Sequence, residues 1–250
     1  ATKSPNKVHR LSLDISGTLT VDVDSVIDLE GKGYPTDYYS GPDFTHNTRE
    51  SSHGGVRRNA ITETAYGRFE RARFAGSAGQ RSNDDYPGEG GGFVELFANT
   101  LQLDGAINAN GARGHAHGGA GGGIHINVGS FIGSVTGQLL ANGGTQRYTN
   151  SSSYSAGAGG RISVYASDFT GYQGIASAES GASDVAGAGT VYWEDAEEAF
   201  GNLVVDNGGK IAPAGSTPLR TVGRHSIVGA YQATTGIWKV EVSGTPWINS

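Results

Sequence analysis

The chain has 250 residues, no cysteine and no methionine, and a formal net charge of −6 from 18 basic and 24 acidic side chains. Without cysteine there is no disulfide framework, thiolate metal site or thiol nucleophile, and a negative chain with no basic stripe argues against a nucleic-acid partner. No stretch approaches the roughly 18 apolar residues that insert into a membrane, and a first residue other than Met reads as a mature form or a piece of a longer chain.

The N-terminal segment Val21–Gly31 alternates, with Val21, Val23, Ile27 and Leu29 on one side and Asp22, Asp24, Asp28 and Glu30 on the other. Alternation at period two marks a half-buried strand. The same pattern returns 80 residues later at Leu101–Gly111. Leu103, Ile107 and Ala109 then hold the apolar positions, Asp104 falls at the position of Asp24, and Asn108 at that of Asp28. Between the copies lies an insertion of 59 residues, Lys32 to Gly90.

From Gly91 onward one order recurs: a glycine pair, an alternating strand, then a second alternating strand. It appears as Gly91–Leu96 with Leu101–Gly111, as Gly122–Ile126 with Gly137–Gly143, and as Gly159–Val164 with Gly174–Ala178. A shortened copy opens at Gly189–Trp193 and closes at Leu203–Gly209. The opening glycines at 92, 123, 160 and 189 give intervals of 31, 37 and 29 residues. No such repeat can bury its apolar row alone, so neighbours must stack. This grammar predicts an all-β fold, a right-handed parallel β-helix of about five coils over 1–210, interrupted by the 32–90 insertion. Ile107, Leu139 and Ile175 are expected in one interior row. The 42 glycines read as corners between strands. In 211–250, the runs His225–Val228 and Ile237–Val242 predict a β-hairpin, either a cap on the last coil or the start of a further module.

The blocks Gly159–Ala166, Gly105–Gly111, Gly189–Tyr192 and Leu203–Gly209 resemble the glycine-rich, pectin-lyase-like β-helix repeats of large secreted bacterial adhesins and surface proteins. Gly31–Pro35, Ser51–Gly55 and Tyr66-Gly67 resemble the insertion found there. The likeness spans about residues 11 to 210. It implies a secreted or cell-surface solenoid that is part of a longer chain. It does not imply a reaction, because such solenoids carry lyases, hydrolases and adhesins alike.

Exposed aromatics beside polar groups make platforms for sugars. The insertion offers Tyr38, Tyr39 and Tyr66, with His53, Arg57 and Arg58 nearby, as the candidate glycan-binding residues. For metal, hard carboxylates on stacked repeats suit calcium, with Asp24 and Asp104 as the bridging pair. The alternative is His115 and His117, which face the same way if that segment is extended. No catalytic residues are assigned. The functional expectation is a non-catalytic structural and adhesive module that binds a polysaccharide or cell-surface glycan. The alternative is a polysaccharide lyase or glycoside hydrolase of the β-helix class.

Overall fold

A computed structural model describes residues 9–35, 51–57, 65–79, 86–148, 155–182, 186–196, 200–212 and 215–219, and the backbone of 227–234 and 237–242. Among these, twelve strands are numbered in chain order. One sheet runs β1 (Arg10–Val21), β3 (Phe93–Leu103), β5 (Gly123–Ile132), β7 (Arg161–Asp168), β9 (Thr190–Glu194) and β10 (Asn202–Val204). A second is built from four short strands, β2 (Val26–Asp28), β4 (Ala106–Asn108), β6 (Gln138–Leu140) and β8 (Ile175–Ser177). All pairings are parallel except β9 with β10. From β1 to β8 the chain alternates between the two sheets, so each of these repeats adds one strand to each, and residues of both sheets share one apolar core.

Register places like against like. Leu11, Val94, Ile124, Ile162 and Val191 form one inward row, and Leu13, Leu96, Ile126, Val164 and Trp193 the next. Each fully buried Leu, Ile or Val contributes roughly 1.5–3 kcal/mol relative to exposure. A slip of one residue would turn the whole set outward, which is why the register holds. At the far end Trp193 covers the core, with Phe131 stacked on Tyr172 at 4.1 Å and Phe169 edge-on to Trp193 at 5.5 Å.

Several expected alignments are shifted. In the large sheet Val21 pairs with Leu103 and Leu19 with Leu101, whereas in the small sheet Ile27 does pair with Ile107. The β1–β2 turn is thus two residues longer than its counterpart, with Asp24 at φ +64° and Val23 exposed. Gly123 stands opposite Phe93 and Arg161, one position later than the sequence alignment had it. The interior row of the small sheet is Ile27, Ile107, Leu139 and Ala176. Ile175, expected there, pairs with Gln138 and is 53 % exposed. Leu203 does not extend the small sheet either. It folds back onto Tyr192 in the large one, where the Tyr192 hydroxyl accepts the Gly201 N–H.

The glycines depart furthest from expectation. Gly118–Gly122 is an extended run whose N–H groups reach a different neighbour at each residue and the same neighbour every third residue. Gly118 and Gly121 donate to Ser155 and Ala158; Gly119 and Gly122 donate to Ala112 and Ala109; Ala120 donates to Ser77. Its carbonyls follow the same rule. His117 and Ala120 accept from Gly88 and Gly91, and Gly119 accepts from Gly144. Period three without internal hydrogen bonds is the geometry of a polyproline II chain. The run is therefore the centre of a bundle of such chains, not a corner. Glycine is required by proximity here: a Cβ added at Gly157 would overlap the Gly119 carbonyl oxygen, and one at Gly121 that of Ala141.

The chain divides into two compact units at Pro218/Leu219. In the second unit, β11 (Ile227–Thr234) and β12 (Ile237–Val242) form an antiparallel hairpin with Ala230 opposite Val240.

Candidate functional site

Between the inward residues, strands β3, β5, β7 and β9 turn Glu95, His125, Ser163 and Tyr192 outward in a single row. All four are nonetheless buried, because residues 66–75 of the insertion lie across them. Arg161 Nε donates to the Tyr66 carbonyl at 2.9 Å, the Ala72 N–H donates to Ser163 Oγ at 3.0 Å, and the Tyr165 hydroxyl donates to the Glu70 carbonyl at 2.6 Å. Side chains of the sheet thus satisfy the backbone of the strap, as buried backbone groups require.

Serine, histidine and glutamate on adjacent strands are the ingredients of a nucleophile, base and orienting acid. His125 Nδ1 lies 2.8 Å from Ser163 Oγ. The remaining bonds run elsewhere. Glu95 accepts from Arg10 at 2.6 Å and faces Arg71 at 3.6 Å. Burial alone would raise the Glu95 pKa, but the Arg10 hydrogen bond and neighbouring cations hold it below the usual carboxylate value. Burial, with Arg71 and Arg73 adding to it against Glu95, lowers His125 to about 4. The row is neutral at its centre and closed to solvent, so it fastens the strap.

His53 fastens the insertion to the glycine bundle. Its Nδ1 lies 2.8 Å from the Gly121 carbonyl, so that nitrogen carries the proton. Three residues earlier on the central chain, the Gly118 carbonyl accepts from Ser51 Oγ at 2.8 Å. Two side chains therefore occupy one of the neighbour directions that glycine N–H groups fill elsewhere. The imidazole stacks on Tyr66 with ring centroids 4.6 Å apart. Burial first, then the nearby Arg161, lowers His53 to about 3.

The expected site residues are thereby separated. His53 and Tyr66 are buried and offer no surface to a ligand; the Tyr66 hydroxyl donates to the Ala75 carbonyl. The aromatic residues Tyr34, Tyr66 and Phe69 pack inside, because a long insertion needs apolar interior of its own. Arg57 is half-buried and bridges to Ala186. Tyr38, Tyr39 and Arg58 lie outside the described residues. Asp24 and Asp104 are not stacked in register: the β1–β3 pairing ends at Val21 with Leu103, next to Asp104, and Asp24 lies further on in the longer β1–β2 turn. The Asp104 carboxylate accepts from Gln102 and from the Ser134 N–H, each at 2.8 Å. Asn108 does donate to Asp28, at 3.0 Å. His115 and His117 face different surroundings: His115 sits between Tyr86 and Tyr148, and His117 is buried against Ser155 at 3.1 Å. Two-residue spacing aligns side chains on a strand, and this segment is not one. Among the described residues no group of three or more His, Asp or Glu is placed to hold a metal ion. A small cleft is lined by Ser177, Glu179, Gly189, Val191, Val204 and Asp206.

The buried row had a sequence signal. Glu95, His125, Ser163 and Tyr192 each stand between two apolar residues at equivalent points of four repeats. No protein-family model, curated protein or solved structure matches the chain.

Proposed function

We propose that the repeat region is a right-handed parallel β-helix with the glycine bundle packed along it. In this reading it is a non-catalytic structural and adhesive module of a large secreted or cell-surface protein that meets glycan at its surface. The observation that carries the reading is the occupation of its reactive groups. Ser163 and Arg161 are buried and bound to strap backbone, Glu95 to arginine and His125 to Ser163, so they serve the fold. Lateral stacking in register, with glycine contacts too close for any side chain, gives a stiff surface suited to presenting a binding face.

The test pairs a glycan array with an absorbance assay for unsaturated uronate products. The expected outcome is retention of glycan without turnover. Turnover of any uronate polymer would replace this reading with that of a polysaccharide lyase.

A further inference from the structure

Among the described side chains, five tyrosines are buried or half-buried, and two, Tyr86 and Tyr148, are exposed, at 74 % and 45 %. Both flank the same residue. The His115 N–H donates to the Tyr86 carbonyl at 2.9 Å, and the Tyr148 N–H donates to the His115 carbonyl at 2.9 Å. Three segments of the chain thus lie side by side, each presenting one ring. Ring centroids are 5.4 Å apart from Tyr86 to His115 and 5.7 Å from His115 to Tyr148, with the imidazole edge-on to both phenols. The Arg147 N–H also donates to the His115 carbonyl, and its guanidinium sits 5.8 Å from the centre of the Tyr148 ring. Arg113 is exposed two residues before His115; among the described residues the acidic side chain beside it in the bundle is exposed Glu89, whose carbonyl accepts the Ala112 N–H.

An exposed ring gains little from packing inside its own chain, whereas the apolar face of a pyranose can stack on it while the hydroxyls remain in water. The rings here are carried on backbone already fixed by lateral hydrogen bonds, so little ordering is needed on binding. Among the described side chains, two arginines stand against one glutamate beside these rings, on a chain of net charge −6, and such a pair of cations suits an anionic ligand. We propose that Tyr86, His115 and Tyr148, with Arg113 and Arg147, form a subsite for acidic polysaccharide. Pyranose rings stack on the tyrosines and a uronate carboxylate meets the arginines. This inference rests on the glycan-binding reading above.

The experiment is calorimetric titration of the full chain with a galacturonate hexamer and with uncharged cellohexaose. The expected result is binding of the galacturonate hexamer in preference to cellohexaose. The Y86A/Y148A variant should bind the galacturonate hexamer about tenfold more weakly or worse, with an unchanged melting midpoint because both rings are exposed. The R113Q/R147Q variant should lose the preference for the acidic sugar. Equal binding by Y86A/Y148A and the unsubstituted chain would overturn the subsite while leaving glycan binding in place. Equal affinity for both hexamers would overturn the acidic class. No binding of either would overturn the subsite outright, and retention of other sugars on the array would then show whether the broader reading survives.

Discussion

The two sheets and the glycine bundle are stabilised by opposite means. In the sheets, backbone pairs in one plane and side chains fill the space between, so an interior row can run Ile27, Ile107, Leu139 and Ala176 with no residue indispensable. In the bundle, backbone meets backbone on several sides and there is no space to fill. A strand with period two needs apolar residues at alternate positions, whereas a chain with period three and neighbours on all sides needs small ones nearly everywhere. Glycine loses more conformational freedom on folding than any other residue. The bundle offsets this with hydrogen bonds at consecutive amides, Gly118 through Gly122. Side chains matter there only where they replace a backbone donor, as Ser51 and His53 do.

The sharpest way to break this contrast is to add one methyl group to the bundle and remove several from the sheets. Gly121→Ala forces a Cβ into the Ala141 carbonyl, where the obstacle is backbone that cannot repack. Its cost should exceed the roughly 1–3 kcal/mol of ordinary overpacking and lower the urea midpoint more than Leu139→Ala does. Leu139→Ala leaves a cavity in a fully buried row and should cost about 2–5 kcal/mol. If the alanine at 121 is tolerated as well as an exposed substitution, the bundle geometry is wrong.

Smaller effects separate the strap from both. Ser163→Ala removes the acceptor of the buried Ala72 N–H and should cost about 1–3 kcal/mol. Amide exchange should show the loss as faster opening of residues 66–75, with the β5–β7 pairing unchanged. Acid should act on the same region. His53 and His125 have pKa values depressed to about 3 and about 4, so the folded chain binds fewer protons than the unfolded chain below pH 6.5. Their contribution is complete above pH 6.5 and declines as pH falls towards those values. Between pH 6.5 and 5.5 each should cost at most about 1.4 kcal/mol, read from urea midpoints. His53→Gln keeps a donor for the Gly121 carbonyl but does not titrate, and should remove the share of this pH dependence due to His53 while leaving that of His125.

What could be read from the sequence divides along the same line. The alternation Val94-Glu95-Leu96, Ile124-His125-Ile126, Ile162-Ser163-Val164 declares strands of common register, and the parallel pairings of both sheets follow it. The insertion meets the 115–123 stretch through the Gly88–His117 and His53–Gly121 bonds. The bundle was not legible, because glycine at a strand end ordinarily means a turn. One signal lay in run length: Ala116–Gly123 and Ser155–Gly160 are longer than a four-residue turn and do not alternate. The Ile175 and Gly123 alignments failed for a related reason. A run of three glycines, or Ile followed by Ala, leaves the inward position undetermined by composition alone. The exposed pair Tyr86 and Tyr148 had no sequence signal at all, since only the lateral bonds through His115 bring them together.

Site-resolved native-state amide exchange at pH 7 tests the bundle most directly. Protection of Gly118, Gly119, Ala120, Gly121 and Gly122 should match that of Ile124 to Val128 in β5, at every residue and not at alternate ones, since each of these N–H groups has a carbonyl partner. Glycine amides exchanging near the unstructured rate, beside a protected β5, would contradict the account and return these glycines to the role of solvent-exposed turns.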